Sequence, residues 1–415
     1  MDLSTRSMTN ISQIAFREAT VNMHSVEEAV DFLEHHLITR NVRSILEKFS
    51  GGRDLKALQK LLVDGLLTDD PEQNRGSVER RVRGWLSPNN VHTIRKQDAI
   101  EIAFILQLEL EEADELLALI SEEKFHWRNM DEIIFIYGLI HKLSYRACME
   151  IRNQPEIQEV LQKVSDYLPD DRLEEDCYTE FIQKEVCKLG TPQELTRYLC
   201  ENYRRLGAFH NTAFDMFREM LLKLSASDPF DETFLPPDEE ELAGKYTIRD
   251  ILSEYLYKNI VLTARQMAVL SKKKAKQDDM LKKLPEEKQY TLSIIQKKIA
   301  DSWPDEFMLS RMKNRKTDVT RKTLILLFLA TDGDYSSYDY EDEEDEQEDV
   351  FEDILERLDD MLFFCGYASL DPRNPFDWLI LYCIYVQDLF DIDPRMKELL
   401  STLFGIDPDR DESEE

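Results

Sequence analysis

Three arginines lie close together at positions 80, 81 and 83, in the segment GSVERRVRGWLSPNN (residues 76–90). A guanidinium can donate two parallel hydrogen bonds to guanine or bind a phosphate, so arginines at this density are typical of a DNA contact. Residues 76–97 hold five basic residues against one acid, Glu79, which favours a polyanionic partner. The candidate DNA-contacting residues here are Arg80, Arg81, Arg83, Arg95 and Lys96. A solvated helix face, or pairing with carboxylates of the same chain, is the alternative explanation for these charges.

A helix over residues 77–86 is predicted to carry the three arginines. Ser77 is a favourable N-cap residue, and Pro88 with the two following asparagines ends the helix. Its apolar residues lie on one face, at i, i+4, i+7 and i+8: Val78, Val82, Trp85 and Leu86. At about 100° per residue, Arg80 points almost directly away from that face. The pattern predicts a short helix with an aromatic anchor behind and arginine in front, as groove insertion requires.

The composition predicts an all-α, multi-helix chain. Glycine (12) and proline (14) are scarce among 415 residues, and helix-favouring residues dominate. The longest apolar runs, LILLFLA and WLILYCIYV, fall far short of the roughly 20 residues that cross a bilayer. The first residues lack the apolar core of a signal peptide. We therefore expect a cytoplasmic protein with no membrane partner.

Enzymatic and metal-dependent functions find no support in the sequence. The six cysteines stand apart without a C-x-x-C pair, and none has a histidine at ligand spacing. There is no phosphate-cradling glycine loop, and the seven histidines are scattered. The run His126-Trp127-Arg128 could suggest a site, but we interpret the adjoining Arg-Asn-x-Asp element as a structural cap. We expect no enzyme activity, no cofactor and no metal.

The helical unit that contains the arginines is predicted to occur twice. ADELLALISEEKFHWRNMDEIIFIY (residues 113–137) matches LDDMLFFCGYASLDPRNPFDWLILY (residues 358–382), with the Arg-Asn pairs at equal spacing and Asp131 opposite Asp377 after one insertion. Upstream, Arg95-Lys96 matches Arg321-Lys322. The second copy places a further basic stretch where the first has its arginine helix, with these candidates for DNA contact: Arg311, Lys313, Arg315 and Lys316. The alternative is that any two amphipathic helix pairs look alike at this level.

An acid-rich segment separates two helices of the second copy. Residues 332–353 include thirteen acidic residues and no basic one, and they follow directly on a basic region. The segment 332–350 is therefore predicted to be an insertion within the module. Three roles stay open for it: a solubilising disordered run, a shield over the neighbouring basic surface, or a docking site for a basic partner protein.

These patterns divide the chain into five predicted segments. They are a polar leader (1–25), a first helical module (26–153), a helical connector (154–250), a second module with the acidic insertion (251–405) and an acidic tail (406–415). Duplex DNA recognition often uses two half-sites. We therefore expect either a homodimer or two modules of one chain acting together.

Within residues 54–120 the chain resembles the helix-turn-helix core of lambda-repressor-like, Xre-type regulators. The resemblance rests on Ser77, Trp85-Leu86, the Pro88-Asn89-Asn90 turn and EIAFILQL with its small Ala103. It implies a helical bundle whose arginine helix enters the major groove, hence a bacterial or phage-type DNA-binding regulator. The longer connection before Ser77 departs from the family pattern. The alternative from another class is an acidic helical scaffold, with net charge -32, that binds partner proteins or mimics nucleic acid.

Overall fold

The computed structural model describes most of the chain. That part comprises residues 16, 23, 25–39, 41–88, 93–165, 179–207, 209–225, 248–277, 292–301, 303–332, 345–385 and 392–406. Within it the secondary structure is helical, with two isolated bridges and no strand of a sheet. The predicted all-α, multi-helix fold is confirmed.

The chain forms two compact units, which we name unit A and unit B. Unit A contains residues 40–212 and 365–368, and unit B contains residues 1–39, 213–364 and 369–415. The structure thus divides the chain differently from the predicted segments. The expected connector is split between the units, because its helices before residue 212 pack on helices of unit A.

Unit A is built from ten helices in the described ranges. They are α2 (Val42–Phe49), α3 (Leu55–Asp69), α4 (Arg75–Trp85), α5 (Lys96–Leu106), α6 (Leu110–Ser121), α7 (Met130–Ile140), α8 (Tyr145–Arg152), α9 (Pro155–Ser165), α10 (Thr179–Val186) and α11 (Pro192–Asn202). A 3₁₀ turn, Tyr203–Arg205, follows α11. One hydrophobic core extends through the unit from Val42 to Leu206. That continuous core holds α4 as a fixed part of the unit.

Unit B contains the remaining helices. They are α1 (Val26–Asp31, followed by the π-helix Phe32–His36), α12 (Asn211–Ser225, which begins at the edge of unit A), α13 (Ile248–Glu254), α14 (Lys258–Gln277), α15 (Ile294–Ala300), α16 (Glu306–Lys313), α17 (Arg321–Asp332), α18 (Asp345–Phe364), α19 (Pro375–Ile384) and α20 (Ile392–Phe404). Trp303 is fully buried, and its indole N–H donates to the Leu256 carbonyl oxygen at 2.8 Å. Phe16, from the predicted polar leader, is 2% exposed and packs its ring against Trp378. One residue of the predicted leader, Phe16, therefore belongs to the aromatic core of unit B.

Several helix ends in the structure follow from local sequence signals. The Ser25 side chain accepts a hydrogen bond from the Glu28 amide at 3.3 Å at the start of α1. The break near residues 107–109 separates α5 from α6, with Gln107 in the left-handed region at a φ of 57°. Asn129 and Asn374, the shared asparagines of the repeated element, cap α7 and α19. Local hydrogen-bonding chemistry was enough to place these helix ends.

The same set of backbone-to-carboxylate hydrogen bonds recurs in both units. In unit A the Asp114 carboxylate accepts from the backbone N–H of Phe125, eleven residues later, at 2.7 Å. In unit B the Asp359 carboxylate accepts from the backbone N–H of Leu370, again eleven residues later, at 3.2 Å. Two amphipathic helix pairs without a common pattern would have no reason to share this bond at this spacing.

A second bond and a buried ion pair complete the match. The Glu132 carboxylate accepts from the His126 amide at 2.7 Å and pairs with Lys96, also at 2.7 Å. The Asp377 carboxylate likewise accepts from the amide six residues before it, that of Asp371, at 2.9 Å, and pairs with Arg321 at 2.8 Å. Both cations are the first residue of their helix, α5 or α17.

These contacts correct the predicted alignment by one residue at each end. Asp377 corresponds to Glu132 rather than to Asp131, so no inserted residue is needed. Arg321 corresponds to Lys96 rather than to Arg95. The prediction matched residue types, Asp with Asp and Arg with Arg, whereas the structure conserves charge and position while exchanging Glu for Asp and Lys for Arg.

Candidate nucleic-acid interface

The arginine helix α4 begins two residues earlier than predicted. Asn74, not Ser77, is its N-cap: the Asn74 side chain accepts from the Ser77 amide at 3.1 Å. Asparagine is as good a cap as serine, and the turn after Pro71 brings it to the helix start. The apolar face is as predicted, since Val78 and Val82 are at most 1% exposed and Trp85 is 7% exposed.

Two arginines project from the opposite, exposed face of α4. Arg80 is exposed and forms no hydrogen bond or ion pair with the residues that the structure describes. Arg83 is exposed as well, and its Nε donates to the backbone oxygen of Glu79 at 3.3 Å, which leaves its charge without a carboxylate partner there. The Glu79 carboxylate is engaged by Arg75 at 3.1 Å. Two uncompensated guanidinium groups one turn apart therefore face solvent.

Arg81 does not belong to that face, contrary to the prediction. Its guanidinium lies over the Trp85 ring, 5.3 Å from the centroid, and 3.5 Å from the Asp98 carboxylate. It also donates to the Gln73 side-chain oxygen at 3.3 Å. The physical reason is that Arg81 lies about 100° around the helix from Arg80. Arg81 is therefore at the border of the buried face, close to the acidic residues Asp98 and Glu101 of α5.

Arg95 and Lys96 are also bound within unit A. Arg95 donates two hydrogen bonds to Asp98, at 2.9 and 3.0 Å, and this contact raises the pKa of Arg95. Lys96 is 17% exposed between Glu132 and Glu123, at 2.7 and 3.5 Å. Burial alone would lower the pKa of Lys96, but the two carboxylates raise it. Lys96 is thus a structural cation, because the start of α5 is packed inside the unit.

A buried acid lies next to the Arg81 contact. Glu101 is 7% exposed, and burial raises its pKa to about 7. Arg81 opposes this shift, whereas Asp69, Asp98 and Asp70 reinforce it. The residues that surround α4 on the side facing α5 are therefore acidic, whereas its outer face carries arginines.

Two histidines form a stacked pair elsewhere in unit A. The rings of His126 and His210 lie 4.0 Å apart between centroids, with 17° between their planes. Burial lowers the pKa of His126 well below its usual value and that of His210 to about 3, helped by the nearby charges of Lys96 and Arg128. No sequence pattern indicates this pair, because 84 positions separate its members. In the described residues no group of three or more His, Cys, Asp or Glu side chains is placed to hold a metal ion.

In unit B, the residues of the second basic stretch also separate into exposed cations and one packed arginine. Arg311, Lys313 and Lys316 are exposed, as a polyanion contact requires. Arg315 is half-buried, with its guanidinium 4.7 Å from the centroid of the Phe214 ring. Burial lowers the pKa of Arg315 despite the opposing charges of Asp215 and Asp318. Arg315 is therefore a packing residue and not part of the exposed set.

The exposed aromatic Phe307 on α16 was missed by the sequence reasoning. Its side chain is 70% exposed, and the Arg311 guanidinium lies 5.6 Å from its ring centroid. The sequence signal for it is a phenylalanine four residues before an arginine, at a helical position that does not share the face of Leu309 and Met312. The acidic segment 332–350 lies largely outside the described residues, which resume at α18.

Comparison with protein-family models, with curated proteins and with solved structures finds no match to this chain. The described helices include none with the length and apolar character that a membrane crossing demands.

Proposed function

We propose that this protein binds duplex DNA through the outer face of α4, as a regulatory protein. The observation that carries the proposal is the pair Arg80 and Arg83: two exposed guanidinium groups, one turn apart, neither paired with a described carboxylate. The face behind them is locked into the core by Val78, Val82 and Trp85. A rigid helix that presents arginine outward is the geometry by which helix-turn-helix proteins read the major groove.

The proposed interface is smaller than the one predicted from sequence. Arg81, Arg95 and Lys96 are each bound to carboxylates of unit A. Arg80 and Arg83 remain as the cations that contact phosphates along the groove. A guanidinium that holds no internal salt bridge loses none on binding, which favours its use for an intermolecular contact.

The test is equilibrium binding to a random-sequence 30-base-pair duplex, followed by fluorescence anisotropy between 50 and 200 mM salt. The wild-type affinity should fall steeply with salt, since each phosphate contact contributes a slope of roughly -0.9 to log K against log salt. Replacing Arg80 and Arg83 together by alanine should reduce the slope by roughly 2 and weaken binding to all duplexes.

A matched control removes two positive charges from unit A away from α4. Lys188 and Arg197 are exposed and lie outside the contacts of α4, so the double variant K188A/R197A changes net charge by the same amount. It should bind nearly as well as the wild type. Equal losses in the two double variants would show a general charge effect and contradict recognition by α4.

A second function, that of an acidic scaffold for partner proteins, is favoured by a different observation. Three of the five basic candidates in unit A are neutralised by its own carboxylates, and the chain carries a net charge of -32. Such a surface repels DNA except where a basic patch is presented. Absence of any duplex binding by the full chain at 50 mM salt would favour the scaffold.

A further inference from the structure

The outer face of α16 in unit B presents a large aromatic ring to solvent. Phe307 is 70% exposed, while Leu309 and Met312 on the same helix are fully buried. The helix is therefore fixed by its other side, and the ring is not needed for that packing. A phenylalanine left this exposed gives up most of the free energy that its burial would supply. The ring is therefore available for contact with an external partner.

The surroundings of this ring are cationic. Arg311 lies one turn further along α16, with its guanidinium 5.6 Å from the centroid of the Phe307 ring. Its Nη2 donates to the Lys316 backbone oxygen at 2.9 Å, which ties the connection after α16 to the same place. Lys313 and Lys316 are exposed and form no ion pair with the described residues.

Acidic side chains near the ring are already engaged. Within residues 306–316 the one acid is Glu306, and its carboxylate is bound by Arg249 at 2.8 Å. Asp318 and Asp215 lie close enough to Arg315 to oppose the lowering of its pKa by burial. The face thus combines an aromatic surface with net positive charge, in a chain that is strongly acidic as a whole.

We propose that Phe307 and Arg311 form a stacking platform for an unpaired base of single-stranded nucleic acid, with Lys313 and Lys316 on the neighbouring phosphates. Aromatic and guanidinium planes stack on base faces, and basic residues along the backbone supply the sequence-independent affinity. This inference stands independently of duplex binding by α4.

A single strand fits this face better than a duplex or a protein. In a duplex the base faces are hidden in the stack, and a phenyl ring has no donor or acceptor with which to read base edges. A protein partner would also have to cover the exposed Lys313 and Lys316, and lysine is depleted at protein interfaces. An unpaired base can stack on the ring, and the phosphates of the same strand can pair with the cations.

The experiment compares four 20-mers by fluorescence anisotropy at 50 mM salt: oligo-dT, oligo-U, an abasic DNA strand of equal charge, and a duplex. Phe307→Ala should weaken binding of at least one of the two base-bearing strands about 5- to 150-fold, the range measured for loss of one base stack. It should leave the abasic strand unaffected. The dT and U arms distinguish DNA from RNA as the source of the base.

Two further variants control for fold and surface character. Phe364→Ala removes another exposed phenylalanine of unit B, 56% exposed on α18, and should bind like the wild type. Phe307→Trp keeps a stacking surface and should retain affinity. R80A/R83A should keep its affinity for single strands, which separates this platform from α4.

Three results would overturn the platform. They are equal affinity of F307A and F364A for the base-bearing strands, equal wild-type affinity for the abasic and base-bearing strands, and no binding of single strands at all. The last result, with duplex binding intact, would leave the proposal for α4 standing while removing the one for Phe307.

Discussion

Arg321 donates two nearly parallel hydrogen bonds to Asp377, at 2.8 and 2.9 Å, and the two side chains are only 3% and 2% exposed. The arginine begins α17 and the aspartate lies in the first turn of α19, so the pair joins two helices that are distant in sequence. Asp377 also accepts the Asp371 amide at 2.9 Å. The carboxylate is thus the centre of a buried network, in the position that Glu132 occupies in unit A.

Breaking this pair from one side should strongly destabilise unit B. Asp377→Asn leaves the Arg321 charge buried without its carboxylate, and such a loss costs about 3–5 kcal/mol in the free energy of unfolding. Urea unfolding followed by tryptophan fluorescence measures it, because Trp303 and Trp378 are buried in the same unit.

The control for that variant is an exposed pair of the same unit. Arg249 and Glu306 are 2.8 Å apart with side chains 71% and 53% exposed, so solvent screens their attraction. Arg249→Ala should leave the urea midpoint unchanged. A midpoint for D377N as high as that of R249A would mean that the Arg321 pair does not hold the helices together.

Helix positions and caps could be predicted from sequence because they depend on nearby residues. The asparagine of the Arg-Asn element caps its helix by bonding amides two or three positions away, and this chemistry is visible in a short segment. The outward direction of Arg80 followed from helical periodicity in the same way. The repeat was also visible, because its spacing extends over a whole helix pair.

The role of each charged residue could not be predicted, because it depends on partners that the fold brings together. Arg81 differs from Arg80 through contacts that include Asp98 and Glu101, both on the next helix. Lys96 is buried by residues 27 to 36 positions away, Glu123 and Glu132. Composition placed these cations on a DNA surface, whereas burial assigns them to internal ion pairs.

Glu101 should make stability fall as the pH rises. Its pKa in the folded state is about 7, above the ordinary value of 4.5, so between these values the folded chain binds a proton that the unfolded chain has lost. The cost of burying the charge is absent below about pH 4.5 and complete above about pH 7. Glu101→Gln should therefore stabilise the protein by about 2–3 kcal/mol at pH 8 and hardly at pH 4.5.

Urea unfolding of wild type and E101Q at the two pH values checks this prediction. The difference between the proteins isolates Glu101, since the other titrating groups are common to both. A variant less stable than wild type at pH 8 would mean that ionised Glu101 is held by Arg81 as a favourable ion pair.

The stacked histidines should have the opposite effect. The folded-state pKa of His210 is about 3, below its ordinary value of 6.5, so the unfolded chain binds a proton that the folded chain excludes. The stability due to the neutral ring is present above about pH 6.5 and is lost as the pH falls towards 3. His210→Phe keeps an aromatic ring on His126 and removes this titration.

Between pH 7 and pH 4.5, H210F should lose about 2–3 kcal/mol less stability than the wild type. The comparison at pH 7.5 is the internal control, because there the His210 ring is neutral in both the folded and the unfolded chain. Parallel stability curves for the two proteins below pH 6 would show that His210 titrates normally in the folded chain.

Neighbouring arginines of α4 should behave as residues of different kinds. Arg81→Met removes a partly buried guanidinium from Asp98, Gln73 and Trp85, and it should lower the free energy of unfolding by about 2 kcal/mol, as for loss of a hydrogen-bonded charge. Arg80→Met removes no contact with a described partner and should change the free energy of unfolding by less than about 0.5 kcal/mol.

In duplex binding the order of the two variants reverses. R80M should lower the salt slope by about 1, while R81M, measured under conditions in which it is folded, should keep the wild-type slope. A lower slope in R81M together with unchanged stability would place its guanidinium on the phosphates and return it to the interface.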